Sequence, residues 1–429
     1  MFLKYRNAQF PQFIVITLCA LSGTHTAHAA SATWNGASSS SWSASPNWSA
    51  SPGPGTGNAA TFDNSTAGAA QTIITGSITI ASILFNTGSA AAYTLGGAST
   101  GMGQITLNDG GSIAVSSSIT RSQTVNANLV LGTDARTASY SLSNNSTSAG
   151  QLLTFAGTID SGKKHRESSP KILILGGIGD GRISGVISGN GSGNRNSETA
   201  QVAVTKNGHG TWTFSGVNTY TGLTDIQAGT LAYGVNNALA TGASGSIANS
   251  AEVSLDGGNL NVAAMANASL GSGQSLTGDG SVTGDLTIQV TLGIGSLLGT
   301  IAFEHNLALQ SGSIANFDFS SGGFGIGTYD LAKGGLSKMV SFGGALNLHF
   351  KPGEVFSNDT NVKIFDFGHY EGAFSAVNVS GLSGGHSAIF DSGTGIVTVV
   401  PEPKAALLAG LCVLLLFIRR RWLAANARV

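Results

Sequence analysis

The feature that most constrains this chain is punctuation. Short runs of alternating apolar and polar residues end, again and again, at glycine-containing pairs. Gln104-Ile105-Thr106-Leu107 stops at Asn108-Asp109-Gly110-Gly111, and Leu255-Asp256-Gly257-Gly258-Asn259-Leu260 and Thr277-Gly278-Asp279-Gly280 are built alike. Asp-Gly and Asn-Gly mark tight turns because both residues tolerate positive φ. A period of two between such marks predicts strands. The 62 glycines in 429 residues weigh against long helices, because each interior glycine costs about 1 kcal/mol relative to alanine. Only 10% of residues are charged, which suits a packed chain rather than a disordered one. The chain is therefore expected to be all-β.

The most regular segment is residues 204–231, VTKNGHGTWTFSGVNTYTGLTDIQAGTL. Trp212 and Phe214 fall on one face of a strand, with Thr211, Thr213 and Ser215 on the other. After a turn at residues 216–218, Thr224, Ile226 and Ala228 share a face of a second strand. Leu152-Leu153-Thr154-Phe155-Ala156-Gly157 echoes Trp212-Thr213-Phe214-Ser215-Gly216, and Ile183-Ser184-Gly185 is echoed by Ile187-Ser188-Gly189. A unit of this size cannot bury its own apolar face, so stacked copies are expected to form a solenoid of about 20 to 25 residues per rung.

The phrase Gly210-Thr211-Trp212-Thr213-Phe214-Ser215-Gly216, then Asn218-Thr219-Tyr220-Thr221-Gly222, then Ala228-Gly229-Thr230-Leu231 resembles the autotransporter-associated β-strand repeat, here spanning about residues 183–231. The resemblance implies a right-handed parallel β-helix. Thr33-Trp34-Asn35-Gly36, with Trp42 and Asn47-Trp48, resembles the start of such exported proteins. Those tryptophans are expected to cap the first rung. From residue 299 the strands lengthen and phenylalanine becomes frequent, as in Phe317-Asp318-Phe319 and Val362-Lys363-Ile364-Phe365-Asp366-Phe367. The expected organisation is thus a solenoid body over residues 30–298 and a C-terminal β region over 299–400 that closes it.

The two ends carry addresses. Lys4 and Arg6 precede an apolar run at residues 13–21, and Ala27-His28-Ala29 has the small-x-small form of a signal-peptidase site. Residues 1–29 are expected to be a signal peptide cut between Ala29 and Ala30. At the other end, Pro401-Glu402-Pro403 is followed by an apolar run at 405–418 and then by Arg419, Arg420 and Arg421. The prolines end the preceding strand, and the arginines hold the far end in the cytoplasm. The run has about 14 residues where a comfortable span has about 20, so it reads as a short transmembrane helix. Motif, span and basic cluster together resemble the PEP-CTERM sorting signal over residues 401–429. That resemblance implies an exosortase-type membrane transpeptidase as partner, removal of the tail near the motif, and delivery to the surface or matrix of a Gram-negative bacterium, often with exopolysaccharide.

Composition narrows the function classes. Both cysteines, Cys19 and Cys412, lie in the end segments, so residues 30–400 have no disulfide and no thiol nucleophile. Those residues carry 13 basic and 20 acidic side chains, a net charge of −7, and so lack a basic footprint for nucleic acid. Gly97-Ala98-Ser99-Thr100-Gly101 matches G-x-S-x-G without the following helix a nucleophile elbow needs. Gly176-Gly177-Ile178-Gly179-Asp180 differs from a calcium nonapeptide turn by a misplaced Asp. His165, His209, His305, His349, His369 and His386 show no metal-ligand spacing. Neither a cofactor nor a metal is expected. Lys163-Lys164-His165-Arg166-Glu167 reads as a protruding charged loop. The chain is expected to be a non-enzymatic, structural or adhesive exported protein. The alternative is a carbohydrate-active β-helix enzyme, which would need two or three acids brought together on neighbouring rungs. An autotransporter passenger ending in its own membrane barrel is disfavoured, because the tail has one apolar run rather than alternating strands.

Overall fold

The computed structural model describes residues 29–401, except 64–70, 133–136, 163–169, 190–200, 234–251, 266, 272, 296–297, 321–327, 354–355, 358–359 and 383–384. The expected signal peptide, the charged loop at 163–167 and the expected transmembrane helix lie outside the described residues. No helix among the described residues is long and apolar enough to cross a membrane.

The chain is all-β. Two parallel sheets, of 27 and five strands, are joined by one antiparallel sheet of three. Inner strands of the parallel sheets pair with the strand one rung back and one rung on, and terminal strands with one of them, which is the pairing of a β-solenoid. One inward column shows this. Tyr140, Leu173, Val204, Thr224, Val253, Leu276, Leu292, Ala315, Leu346 and Val377 stand in successive register. Every member from Tyr140 to Leu346 has 0% exposure, and only Val377, at the end, is at 39%. The alternation seen in the sequence explains this. A period of two puts every second residue inside, and a parallel stack places like positions above one another.

The rung is not of fixed length. Successive column members are 16 residues apart from Leu276 to Leu292 and 33 apart from Tyr140 to Leu173. The expected 20 to 25 residues is too narrow, because strands keep register while the connecting turns absorb the difference. Parallel pairing also crosses residue 299 without a break. Ile301 in strand Thr300–Phe303 pairs with Gly280 before it and Ala332 after it.

The ends differ. At the first rung Trp34, Trp42 and Trp48 pack around Phe62, with ring centroids 4.7 to 6.0 Å apart. Each indole N–H is satisfied, on Gln71 Oε1, the Pro54 carbonyl and the Trp42 carbonyl respectively. The expected tryptophan cap is therefore present, and none of its indole N–H groups is orphaned. At the far end the parallel strands finish at Ala376–Ser380. The strands Asn361–Lys363, His386–Asp391 and Ile396–Pro401 pair antiparallel there. Phe390 from this sheet meets Phe342, Phe365 and Phe374 at 5.4 to 5.9 Å.

Candidate functional site

The expected repeat segment forms two stacked rungs. Strands Val202–Lys206, Thr211–Phe214, Thr224–Ile226 and Thr230–Tyr233 supply it. Trp212 and Phe214 point inward at 0% exposure and Thr211 and Thr213 outward. Trp212 stands in register with Gly181 of the rung below. A Cβ at Gly181 would lie 2.5 Å from the indole. The missing side chain lets Trp212 lean past Gly181 and stack on Phe155, 6.4 Å between centroids, in the rung below that.

The same segment buries a lysine that sequence reasoning missed. Lys206 takes an inward position between Leu175 and Ile226 and has 0% exposure. Its ammonium donates to the carbonyls of Gly208 and Ala228. Burial pushes its pKa down to about 8, against the pull of Asp180. It ties two turns of adjacent rungs together. The signal was present in Lys206-Asn207-Gly208, since a lysine directly before a turn has carbonyls within reach.

A second buried lysine lies lower in the stack. Lys171 Nζ is 3.4 Å from Asp109 Oδ1 and sits over the Tyr140 ring, and Tyr140 Oη donates to the same carboxylate oxygen at 2.6 Å. These residues are 31 positions apart, so no local pattern shows the grouping. The close approach needs Gly132, whose Cβ would lie 2.2 Å from Tyr140 Oη.

Acids do meet on neighbouring rungs. Asp225 pairs with Ser254, which lies between Glu252 and Asp256 on the outward face, and Asp256 stands directly opposite Asp279. The Asp225 pKa is raised, chiefly by burial, then by the Asp256 and Glu252 charges, while Gln227 opposes the rise. Gln227 Nε2 donates to Asp225 Oδ2 at 2.7 Å and Thr277 Oγ1 to Glu252 Oε1 at 2.6 Å. The patch stands on the outer wall. A cavity of about 470 Å³ under the tryptophan cap and one of about 270 Å³ between turns 146–151 and 178–180 have none of these four acids in their walls.

Asp330 is the most perturbed carboxyl with a stated value. It has 1% exposure. It accepts from the Gly299 N–H at 2.9 Å and the Asp318 N–H at 2.7 Å. Burial pushes its pKa up to about 7, with the Asp318 charge adding to the rise and the two N–H donors opposing it. It clips the Phe317-Asp318-Phe319 strand to the rung start at Gly299.

The expected site residues divide between described and undescribed chain. Ala29 and Ala30 precede the first strand, Ala32–Thr33, with Ala30 exposed. Ala27 lies outside the described residues. Pro401 is exposed and closes strand Ile396–Pro401, opposite His386. Glu402, Pro403, Arg419, Arg420 and Arg421 lie outside. Gly97 and Gly101 are turn glycines with φ of 86° and 80°. Asp180 of the glycine-rich turn accepts from Thr211 N at 2.8 Å. Among the described residues no three His, Cys, Asp or Glu side chains are placed to hold a metal ion.

The comparisons agree with this geometry. No curated protein matches the chain. Residues 204–232 match the family model of the passenger-associated-transport-repeat, the repeat associated with autotransporter passengers. The match falls on the segment that buries Trp212, Phe214 and Lys206. With the parallel sheet it fits an exported, cell-surface β-helix protein of a bacterium.

Proposed function

We propose that this chain is a non-enzymatic structural or adhesive protein of the bacterial surface or extracellular matrix. Its tail serves for sorting and is removed by an exosortase-type transpeptidase near Pro401-Glu402-Pro403. The observation that carries the reading is the position of the motif's first residue. Pro401 is exposed and closes the packed strand Ile396–Pro401. A protease cleft would meet an extended, proline-bounded peptide directly after a packed strand. The arginines at 419–421 keep the far end inside until the cut. The faces rich in Ser, Thr and Asn offer hydroxyl and amide groups to exopolysaccharide.

Intact mass and C-terminal sequencing of the protein recovered from its host test the sorting step. A mature chain ending near residue 403 is expected. Recovery of chains that still contain Arg419, Arg420 and Arg421 rejects it.

The alternative, a carbohydrate-active enzyme, draws on one observation. Asp225, Glu252, Asp256 and Asp279 share an outer wall, and one of them has a raised pKa. Neighbouring carboxyls, one of them with a raised pKa, are the kind of grouping from which glycoside cleavage draws an acid and a base. Release of reducing ends or unsaturated products from acidic polysaccharides, lost in Asp225→Asn, would replace the first reading with this one.

A further inference from the structure

The two ends of the solenoid are not equivalent in their backbone. At the first rung both edges of the leading strand are occupied. Ala32–Thr33 pairs with residues 60 and 61 on one side. On the other, Ser49 N donates to Thr33 O at 2.9 Å and Trp34 bridges Trp48 antiparallel. At the last rung Ala376–Ser380 pairs with Ala345–Phe350 only; its outer edge pairs with no strand among the described residues, although His386–Asp391 runs near it.

That edge lacks the usual protections. Ala376-Val377-Asn378-Val379-Ser380 has no charge, no proline and no bulge; natural edges carry such features to prevent pairing. The neighbouring strand of the same rung, His369–Gly372, has Glu371 and ends at Gly372 with φ of 71°. The free and unprotected template is therefore Ala376–Ser380. Val377 is the one exposed member of a column otherwise buried from Tyr140 onward. On the outer face Asn347 Nδ2 donates to Asn316 Oδ1 at 2.8 Å and Asn378 Nδ2 to Asn347 Oδ1 at 2.9 Å. This ladder of stacked amides ends at the Asn378 carbonyl oxygen.

We propose that Ala376–Ser380 pairs antiparallel with the same strand of a second copy, about a two-fold axis at Asn378. The sequence is self-complementary about that residue. Val377 faces Val379 of the second copy, Ala376 faces Ser380, and Asn378 faces itself, with no like charges opposed. The same strand of each copy forms the contact, so it is isologous and its two-fold symmetry closes at two. The result is a rod of double length with a tryptophan cap at each tip. This proposal is independent of how the tail is processed.

The test uses the full chain, sized by light scattering in mild detergent. A dimer is expected, and Asn378→Lys is expected to weaken it about tenfold or more, by setting two ammonium groups opposite each other. Asn347→Thr, one rung inside, leaves it dimeric. Residues 402–429 are present in all three proteins, so association through them survives Asn378→Lys and overturns the proposal. A second measurement does not depend on folding of the lysine variant. In a chain with Cys19→Ser and Cys412→Ser, Asn378→Cys is expected to form an intermolecular disulfide under mild oxidation, and Asn347→Cys is not. A monomeric full chain, or the absence of a 378–378 crosslink, overturns the two-fold pairing.

Discussion

The N-terminal and C-terminal rungs solve one problem with different chemistry. A parallel stack leaves an apolar cross-section at each end. At the N-terminus three tryptophans and Phe62 fill it, and a short antiparallel ribbon occupies the backbone edge. At the C-terminus a phenylalanine cluster and an antiparallel sheet cover part of the section, while Val377 and the strand around it stay exposed. Side chains can close the apolar section in both cases. Only another strand satisfies a backbone edge; the Trp34–Trp48 ribbon does so beside Ala32–Thr33, whereas the outer edge of Ala376–Ser380 pairs with no strand among the described residues.

The largest expected effect comes from breaking the closed end. Trp48→Ala removes a side chain with 4% exposure that touches Trp34, Trp42 and Phe62. It is expected to cost about 3–5 kcal/mol, read from urea unfolding. A loss under 1 kcal/mol would show that the cap covers the section without holding it.

The next effect is a pH dependence in the C-terminal half. The Asp330 pKa is raised from 3.8 to about 7. Its neutral form is favoured in the folded state. Its contribution is therefore complete below about pH 4 and is lost as pH rises to about 7. The change is about 2–4 kcal/mol. Asp330→Asn is expected to flatten the stability profile between pH 4 and 7, measured by thermal unfolding across that range. An unchanged slope would remove Asp330 from the account.

Gly181→Ala probes the middle of the stack, where neither end matters. The added methyl meets the Trp212 indole at 2.5 Å, for an expected loss of about 1–3 kcal/mol and a change in tryptophan fluorescence. Val377→Ala is the smallest, under about 1 kcal/mol, because the side chain is 39% exposed. A loss as large as that of Trp48→Ala would mean that the C-terminal edge is covered in solution.

The comparison also shows what the amino-acid pattern reveals. Alternation about Trp212 and Phe214, the echo at Phe155 and the tryptophan cap were legible because each depends on residues close in the chain. Phe155, Ile183 and Phe214 do stand in one column. Rung length is not legible in the strands because the turns set it. Lys171 with Asp109 and Tyr140 could not be read, since partners 31 and 62 residues away carry no local mark. The asparagine ladder lies between these cases. Ile-Ala-Asn-Phe, Ala-Leu-Asn-Leu and Ala-Val-Asn-Val recur at 31-residue intervals, a period visible only once the rung length is known. Of the expected site residues, Ala29 and Ala30 precede the first strand and Pro401 ends the strand Ile396–Pro401, while the others lie outside the described residues.

Trp212 has a mechanical consequence. In a simple stack each rung grips only its neighbours, so a pull at one end peels the rungs away singly. By reaching past Gly181 to Phe155, Trp212 fastens three rungs into one block. Under tension that block yields together, as a single longer extension at higher force. Pulled from its two ends, such a stack has a built-in point where tearing stalls.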